Sequence, residues 1–150
     1  MREIERKFLI RKLPSTLQPY PRHVINQGYL VFGENGVEVR LRRSNEQHSL
    51  TVKSKHGLER EEHNIPLTEE QWSELWPLTA GRRLKKLRFD IPHGEYIIEL
   101  DIFLGLNDGL VVAEVEFPTT IAAHGFVPPS WFDQEVTGDP EFSNRRRAVE

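Results

Sequence analysis

The feature that most constrains the fold is a strict alternation of apolar and charged residues along several short segments. In the segment VEVRLRR, Val37, Val39 and Leu41 share one side and the charged residues share the other. Successive side chains of a β-strand point to opposite faces of a sheet, so this spacing predicts strands with one apolar and one ionic face. Turn residues separate several of these segments, which favours antiparallel pairing of neighbours.

The pattern predicts a mainly β protein with few helices. Eight strands are predicted at about 1–10, 24–32, 37–43, 49–55, 58–65, 83–91, 95–104 and 110–117. One helix is predicted over 69–76, with Thr68 as N-cap and Gln71 completing a capping box, and a short helix is predicted around 118–125. A chain of 150 residues with no internal repeat fits one domain, covering residues 1–150.

Charge is concentrated on the ionic faces of these strands, although the net charge is only -3 from 20 basic and 23 acidic residues. The basic members are Lys7, Arg40, Arg42, Lys53, Lys55, Arg60, Lys86 and Arg88. The acidic members are Glu3, Glu5, Glu38, Glu62, Glu99, Asp101, Glu114 and Glu116. The third, fourth and sixth predicted strands carry mainly bases, and the first, seventh and eighth carry mainly acids.

Two architectures fit this pattern: an open sheet whose ionic face meets water, and a closed barrel that encloses the ionic face. Sorting the charges by strand suits a ligand that needs both signs, which favours the eight-stranded antiparallel barrel. An enclosed lining of like charges is costly unless bound partners compensate it. A polyanion on the basic wall and divalent cations on the acidic wall would do so. This layout is typical of metal-assisted phosphoanhydride hydrolysis.

Composition limits the other classes of function. There is no cysteine, which excludes disulfides, thiol catalysis and thiolate metal ligands. No histidine accompanies the acidic pairs, so all candidate ligands are oxygens, and Mg²⁺ or Mn²⁺ is expected. No apolar run approaches the roughly 18 residues of a membrane span, and the small net charge gives no general attraction to nucleic acid. We expect a cytoplasmic protein, and a homodimer, because so few helices cannot cover the apolar outer faces of eight strands.

The ordered charge doublets resemble the CYTH superfamily, the triphosphate tunnel metalloenzymes. They are Glu3-x-Glu5-x-Lys7, Arg40-x-Arg42, Lys53-x-Lys55, Glu59-Arg60-x-Glu62, Lys86-x-Arg88, Glu99-x-Asp101 and Glu114-x-Glu116. The segments ERKFLI, QGYL and SELWP are most similar to the compact bacterial inorganic triphosphatases. The resemblance covers essentially the whole chain.

The resemblance implies a barrel that forms a triphosphate tunnel, with a few peripheral helices and a C-terminal plug helix. It implies a set of substrate-binding residues: Arg40, Arg42, Lys53, Lys55, Lys86, Arg88 and, in the plug, Arg145. It also implies carboxylates that hold one or two metal ions: Glu3, Glu5, Asp101, Glu114 and Glu116. These carboxylates would also place the attacking water. The implied catalytic residues are Glu3 and Glu5, together with Lys7 and Arg60, which would clamp phosphate or tether carboxylates. Phe142 stands where the family more often has tyrosine.

The implied activity is hydrolysis of inorganic triphosphate (tripolyphosphate) to pyrophosphate and phosphate. Thiamine triphosphatase, nucleoside triphosphatase and class IV adenylate cyclase are alternatives within the family, and a non-catalytic polyphosphate-binding protein is an alternative of another class. The chain is short, and its tryptophans at 72, 76 and 131 lie away from the phosphate-gripping motifs. Both observations favour an inorganic substrate over one that carries an organic base.

Overall fold

A computed structural model describes residues 2–54 and 60–150, which form one antiparallel sheet of nine strands with short helices around it. The strands are β1 (Arg2–Glu3), β2 (Glu5–Leu9), β3 (Arg22–Phe32), β4 (Glu38–Ser44), β5 (Gln47–Lys53), β6 (Arg60–Leu67), β7 (Arg83–His93), β8 (Tyr96–Phe103) and β9 (Val111–Glu116). Their order in the sheet is β1-β6-β5-β4-β3-β7-β8-β9-β2. The prediction of a mainly β, antiparallel fold with few helices is confirmed.

The first predicted strand is two strands, β1 and β2, separated by Ile4 alone. β1 pairs with β6 and β2 pairs with β9, so consecutive segments of the chain lie at the two ends of the strand order. The carbonyl of Ile4 accepts a hydrogen bond of 2.8 Å from the Phe117 N–H. The N-terminal segment therefore supplies both end strands of the sheet.

The helices are α1 (Glu69–Leu75), α2 (Thr120–Gly125) and α3 (Asn144–Arg147). The predicted capping box of α1 is confirmed, since the Gln71 N–H donates to the Thr68 hydroxyl at 3.1 Å and the Thr68 N–H donates to the Gln71 side chain at 2.9 Å. Among the residues that the structure describes, no helix is both long and apolar enough to cross a lipid bilayer.

A bulge in β3 changes which side chains reach the charged face of the sheet. Gln27 and Tyr29 alternate onto that face, but the register shifts between Tyr29 and Val31, so that Phe32 pairs with Glu38. The ring of Phe32 consequently lies 4.8 Å from that of Tyr29. The alternation in the sequence alone gives no sign of this bulge.

The apolar residues form two clusters on opposite faces of the sheet. The outer cluster contains Phe8, Leu100, Val115 and residues of α2. The second cluster joins Tyr29, Leu84, Phe103, Val112 and Ala148. Leu84 lies two positions before Lys86, and Val112 lies two positions before Glu114, so both point to the charged face. This cluster therefore fills one end of that face. The C-terminus is fixed at the same end, where Glu150 and Arg83 exchange backbone hydrogen bonds of 2.9 and 3.0 Å.

Candidate active site

The charged face encloses a cavity of about 140 Å³ to which all nine strands contribute. Its lining residues are Glu3, Glu5, Lys7, Tyr29, Glu38, Arg40, Arg42, Lys53, Arg60, Glu62, Arg88, Glu99, Glu114, Glu116, Ser143, Asn144 and Arg145. Most of the sequence-predicted site residues therefore line one space. Lys86 and Asp101 are not among the lining residues, and Lys55 lies outside the residues that the structure describes.

Strand register explains why these charges converge. Glu5 lies directly opposite Glu116 across the β2–β9 pair, and Lys7 lies opposite Glu114. Lys53 lies opposite Glu62 across β5–β6. Directly opposed residues in an antiparallel pair point to the same face, so residues far apart in sequence become neighbours on the charged face.

Three carboxylates form the acidic end of the cavity: Glu3, Glu5 and Glu116 offer oxygen atoms that all lie within 4.8 Å of one another. Burial and the carboxylates of Glu114 and Glu3 raise the pKa of Glu5 well above its ordinary value. Burial and the neighbouring carboxylates also raise the pKa of Glu116. A hard divalent cation fits this group, because it takes only oxygen ligands and relieves the repulsion that raises these pKa values.

Glu114 has a different environment from the three clustered carboxylates. It lies 3.3 Å from the Lys7 ammonium and 3.9 Å from the Arg88 guanidinium. Burial acts to raise its pKa, but Lys7, Lys86 and Arg88 together hold the pKa of Glu114 well below its ordinary value. Glu114 is therefore an ionised carboxylate that already has cationic neighbours.

Asp101 is the centre of a buried ion-pair network between β7 and β8. Its two oxygens accept from Arg88 at 2.7 and 2.8 Å and from Lys86 at 2.7 Å. Burial acts to raise the pKa of Asp101, but the two cations hold it below its ordinary value. Burial also lowers the pKa of Lys86 to about 8. Within the described part of the chain, the Asp101 carboxylate thus contacts two cations rather than the Glu3–Glu5–Glu116 cluster.

In the described part of the chain, Arg40 on β4 and Arg60 on β6 have fewer hydrogen-bond partners than Lys86 and Arg88 on β7. Arg40 is only 4% exposed, and its Nε has no hydrogen-bond partner among the described residues. The Nε of Arg60 is also buried without a partner there, although the Arg60 guanidinium lies 3.5 Å from Glu38. Buried donors without acceptors are costly, and an anion in the cavity would satisfy them.

Arg42, also on β4, extends this basic wall. Its Nε donates to the Gln27 side chain at 2.9 Å, and the Gln27 amide donates to the Tyr29 hydroxyl at 2.9 Å. Burial, followed by the nearby Arg40 and Arg88, lowers the pKa of Arg42 to about 9. Crowding of like charges at this depth again indicates a place for an anion.

The C-terminal segment closes over the cavity at Ser143, Asn144 and Arg145. The Asn144 side chain accepts from Lys86 at 3.2 Å, and the Lys7 ammonium donates to the Phe142 carbonyl at 3.1 Å. Of Ser143, Asn144 and Arg145, only Arg145 was predicted from the sequence, and Tyr29 was not predicted either. The alternation of Gln27 and Tyr29 along the second predicted strand could have identified Tyr29, whereas no periodic signal marks Ser143 or Asn144.

A second, larger cavity of about 590 Å³ adjoins the first and shares Glu3, Glu5, Lys7, Glu38, Arg60, Ser143 and Arg145 with it. Its remaining wall is partly apolar and includes Phe32, Val136 and Val149. The Arg145 guanidinium lies over the Phe32 ring at 4.7 Å from the ring centroid, within cation–π range. Arg145 and Phe32 therefore mark the boundary between the charged cavity and this vestibule.

The sequence of this site agrees with a known family, since the model of the CYTH domain matches residues 1–123. The chain belongs to the CYTH domain family. The matched region contains all nine strands in full, and therefore every strand that lines the cavity. The C-terminal segment lies beyond the CYTH match.

Two relatives carry the name inorganic triphosphatase. One, from Nitrosomonas europaea, is 41% identical over 152 residues that cover 99% of this chain and 98% of the relative. The other, from Acetivibrio thermocellus, is 34% identical and covers 95% of this chain and 90% of the relative. The similarity therefore extends beyond the CYTH match into the C-terminal segment.

Solved structures share the fold. A crystal structure of an inorganic triphosphatase is 36% identical, with a TM-score of 0.73, and the match covers 99% of this chain and 95% of that one. A putative adenylate cyclase from Bacillus halodurans is 18% identical, with a TM-score of 0.62 over 86% of this chain and 95% of that one. The second match, at 18% identity, shows a common fold alone.

Proposed function

We propose that this protein hydrolyses inorganic triphosphate to pyrophosphate and phosphate with the help of Mg²⁺ or Mn²⁺. The observation that carries the proposal is one cavity with three clustered carboxylates, Glu3, Glu5 and Glu116, and a wall of buried cations that includes Arg40. Relatives named inorganic triphosphatase over nearly the whole chain support the same activity.

We infer that the sheet closes into a barrel and that the cavity is its tunnel. Two observations support closure: β1 and β2, at opposite ends of the strand order, are consecutive in the chain, and every strand lines the same cavity. The apolar cluster around Phe103 and Ala148 would close one end of this tunnel. The charged cavity and the vestibule would form the open end.

Each group then has a role. Arg40, Arg42 and Arg60 would bind phosphate oxygens, because their guanidinium groups match pairs of such oxygens. Lys53, Arg88 and Arg145 would complete the clamp. Glu3, Glu5 and Glu116 would hold the metal, which when bound polarises phosphoryl oxygens and lowers the pKa of a water molecule. Lys7 would fix Glu114, whose charge lies beside the metal ligands.

Lys86 and Asp101 would position other groups rather than contact substrate or metal. Both are fully buried, and Asp101 already accepts hydrogen bonds from two cations. Asp101 would fix the direction of the Arg88 guanidinium, and Lys86 would fix Asn144 of the C-terminal segment. The expected metal-ligand role of Asp101 and substrate-binding role of Lys86 are therefore not part of this proposal.

The test is release of phosphate from tripolyphosphate with Mg²⁺ or Mn²⁺, with and without excess chelator. We expect metal-dependent turnover in the wild type and loss of about 100-fold or more in Glu5→Gln, because one metal ligand is weakened. Glu61→Gln is the matched control: Glu61 lies on the opposite face of β6 and is 64% exposed, so turnover should not change. Turnover that resists the chelator, or an equal loss in both variants, would contradict the proposal.

The vestibule supports a second candidate, an organic triphosphate such as thiamine triphosphate or ATP. A cavity of about 590 Å³ with Phe32, Val136 and Val149 in its wall can hold an organic group next to the phosphate site. The short length of the chain, which favours an inorganic substrate, therefore does not by itself rule out an organic one. Selective turnover of an organic triphosphate in the same assay would favour this candidate, and cyclic AMP with pyrophosphate would indicate a cyclase. Tight binding without turnover would indicate a polyphosphate-binding protein.

The expected homodimer stays a prediction. Val31 and Ile65 lie on strands and are 46% and 52% exposed, so part of the apolar surface of the sheet is uncovered. Light scattering at micromolar concentration should give twice the mass of the chain, which is 17.5 kDa. A monomer mass would contradict the prediction.

A further inference from the structure

Lys53 connects the candidate metal site to the phosphate-binding wall. Its ammonium lies 2.9 Å from a carboxylate oxygen of Glu3 and 3.3 Å from one of Glu62. The Lys53 side chain is only 7% exposed, so the ammonium group must find its partners inside the cavity. The Glu3 that it contacts on β1 is one of the three clustered carboxylates.

The Glu3 carboxylate can therefore pair with the Lys53 ammonium or ligate a cation. A divalent cation held by Glu3, Glu5 and Glu116 would need a Glu3 oxygen, and it would repel an ammonium group at the same carboxylate. Lys53 lies on β5, directly beside β4, and lines the same cavity as Arg40. On leaving Glu3, its ammonium can reach anionic atoms in that cavity without entering bulk water.

We propose that Lys53 couples metal binding to triphosphate binding, an inference that rests on the proposed function. Lys53 pairs with Glu3 when no cation occupies the carboxylate cluster, and it pairs with a phosphate oxygen of the substrate when Glu3 ligates a cation. Coupling between two binding equilibria is reciprocal, so the substrate must strengthen cation binding by the factor with which the cation strengthens substrate binding.

Lys7 provides a matched control within the same cavity. Its ammonium pairs with Glu114 at 3.3 Å and donates to the Phe142 carbonyl, and Glu114 is not a member of the clustered three. Lys7→Met removes the same positive charge as Lys53→Met. Lys7→Met leaves Glu3 paired with Lys53, so only Lys53→Met tests a specific exchange at Glu3.

The experiment titrates each protein with Mn²⁺ and follows free Mn²⁺ by electron paramagnetic resonance, with and without the non-hydrolysable analogue imidotriphosphate. Protein-free titrations correct for the Mn²⁺ that the analogue itself chelates. Without the analogue, we expect Lys53→Met to bind Mn²⁺ roughly tenfold more tightly than the wild type, and Lys7→Met, whose charge acts on Glu5 and Glu114 but leaves Glu3 paired, to gain less. The analogue should strengthen Mn²⁺ binding by a smaller factor in Lys53→Met than in the wild type. Lys53→Gln should match Lys53→Met, and thermal melting checks that all variants fold.

Two results would overturn the proposed role of Lys53 without affecting the proposed function. One is an equal gain in Mn²⁺ affinity in Lys53→Met and Lys7→Met, which would indicate a general effect of charge. The other is an unchanged effect of the analogue in Lys53→Met. In either case, wild-type Mn²⁺ binding and hydrolysis would leave the proposed function intact. Failure of the wild type to bind Mn²⁺ would overturn the metal site and this inference together.

Discussion

The two basic walls of the cavity differ in how their charges are compensated. On β7 and β8, Lys86 and Arg88 share Asp101 through hydrogen bonds of 2.7 to 2.8 Å, and Arg88 also binds Glu99 at 2.7 Å. On β4, Arg40 has a buried Nε without a partner among the described residues. The cations of the first wall form ion pairs with carboxylates of the protein, whereas the second wall has a buried N–H donor without a partner in the described part of the chain.

This difference separates cations that form buried ion pairs, such as Lys86 and Arg88, from a cation with a buried donor that has no partner among the residues that the structure describes, Arg40. Breaking a buried ion pair leaves a charge without compensation and costs stability. Removing a cation that has a buried donor without a partner should cost the fold less and ligand binding more. The similar doublets Arg40-x-Arg42 and Lys86-x-Arg88 therefore have different consequences when they are mutated.

The largest expected effect is that of Asp101→Asn on the β7–β8 wall. The substitution leaves Lys86 and Arg88 buried without a counter-charge, so the free energy of unfolding should fall by about 3–5 kcal/mol. For a chain of this size, the melting temperature should fall by about 10 °C. Denaturant unfolding measures the loss, with Asp108→Asn, at an exposed site, as the control. A loss no larger than that of the control would remove the distinction between the walls.

Arg40→Met on the β4 wall should have the next largest effect, on binding rather than on stability. Losing several charge-assisted hydrogen bonds to phosphate should lower kcat/KM for tripolyphosphate by about 100-fold. The melting temperature should hold or rise, because a buried charge is removed. Arg43→Met is the control, since Arg43 belongs to the same strand but pairs with Glu46 outside the cavity. Equal effects of the two variants would contradict a phosphate-binding role for Arg40.

Lys86→Met should be milder than Asp101→Asn, although both disrupt the same ion-pair network. Asp101 keeps its two hydrogen bonds from Arg88 in this variant, and methionine occupies a similar volume. The expected loss is about 1–2 kcal/mol in the free energy of unfolding. A loss equal to that of Asp101→Asn, measured in the same denaturant series, would mean that Arg88 alone cannot compensate Asp101.

The smallest expected effect is that of Phe32→Leu, which removes the ring under the Arg145 guanidinium. A cation–π contact near the surface is worth about 0.5–1 kcal/mol, so KM for tripolyphosphate should rise about two- to fivefold with kcat unchanged. Leu30→Ala on the same strand, outside both cavity linings, is the comparison. An unchanged KM would show that Arg145 needs no support from Phe32.

Much of the fold could be predicted because it depends on local periodicity. The alternation in segments such as VEVRLRR follows from the backbone, so strand type and the identity of the charged face are confirmed at most positions. The capping box at Thr68 is confirmed for the same reason, since all its hydrogen bonds lie within four residues. The split of the first strand at Ile4 could not be predicted, because it depends on pairing with two distant strands.

The sequence by itself determined which charged side chains of the strands share one face of the sheet, because side-chain direction in a strand is set by the pleat. Only the tertiary structure decided which of those charges find partners. Glu5 and Glu116 meet because the β2–β9 register aligns them, and Asp101 is committed to Lys86 and Arg88 by the register of β7 and β8. Register and the β3 bulge depend on contacts across the whole sheet, which no local pattern contains.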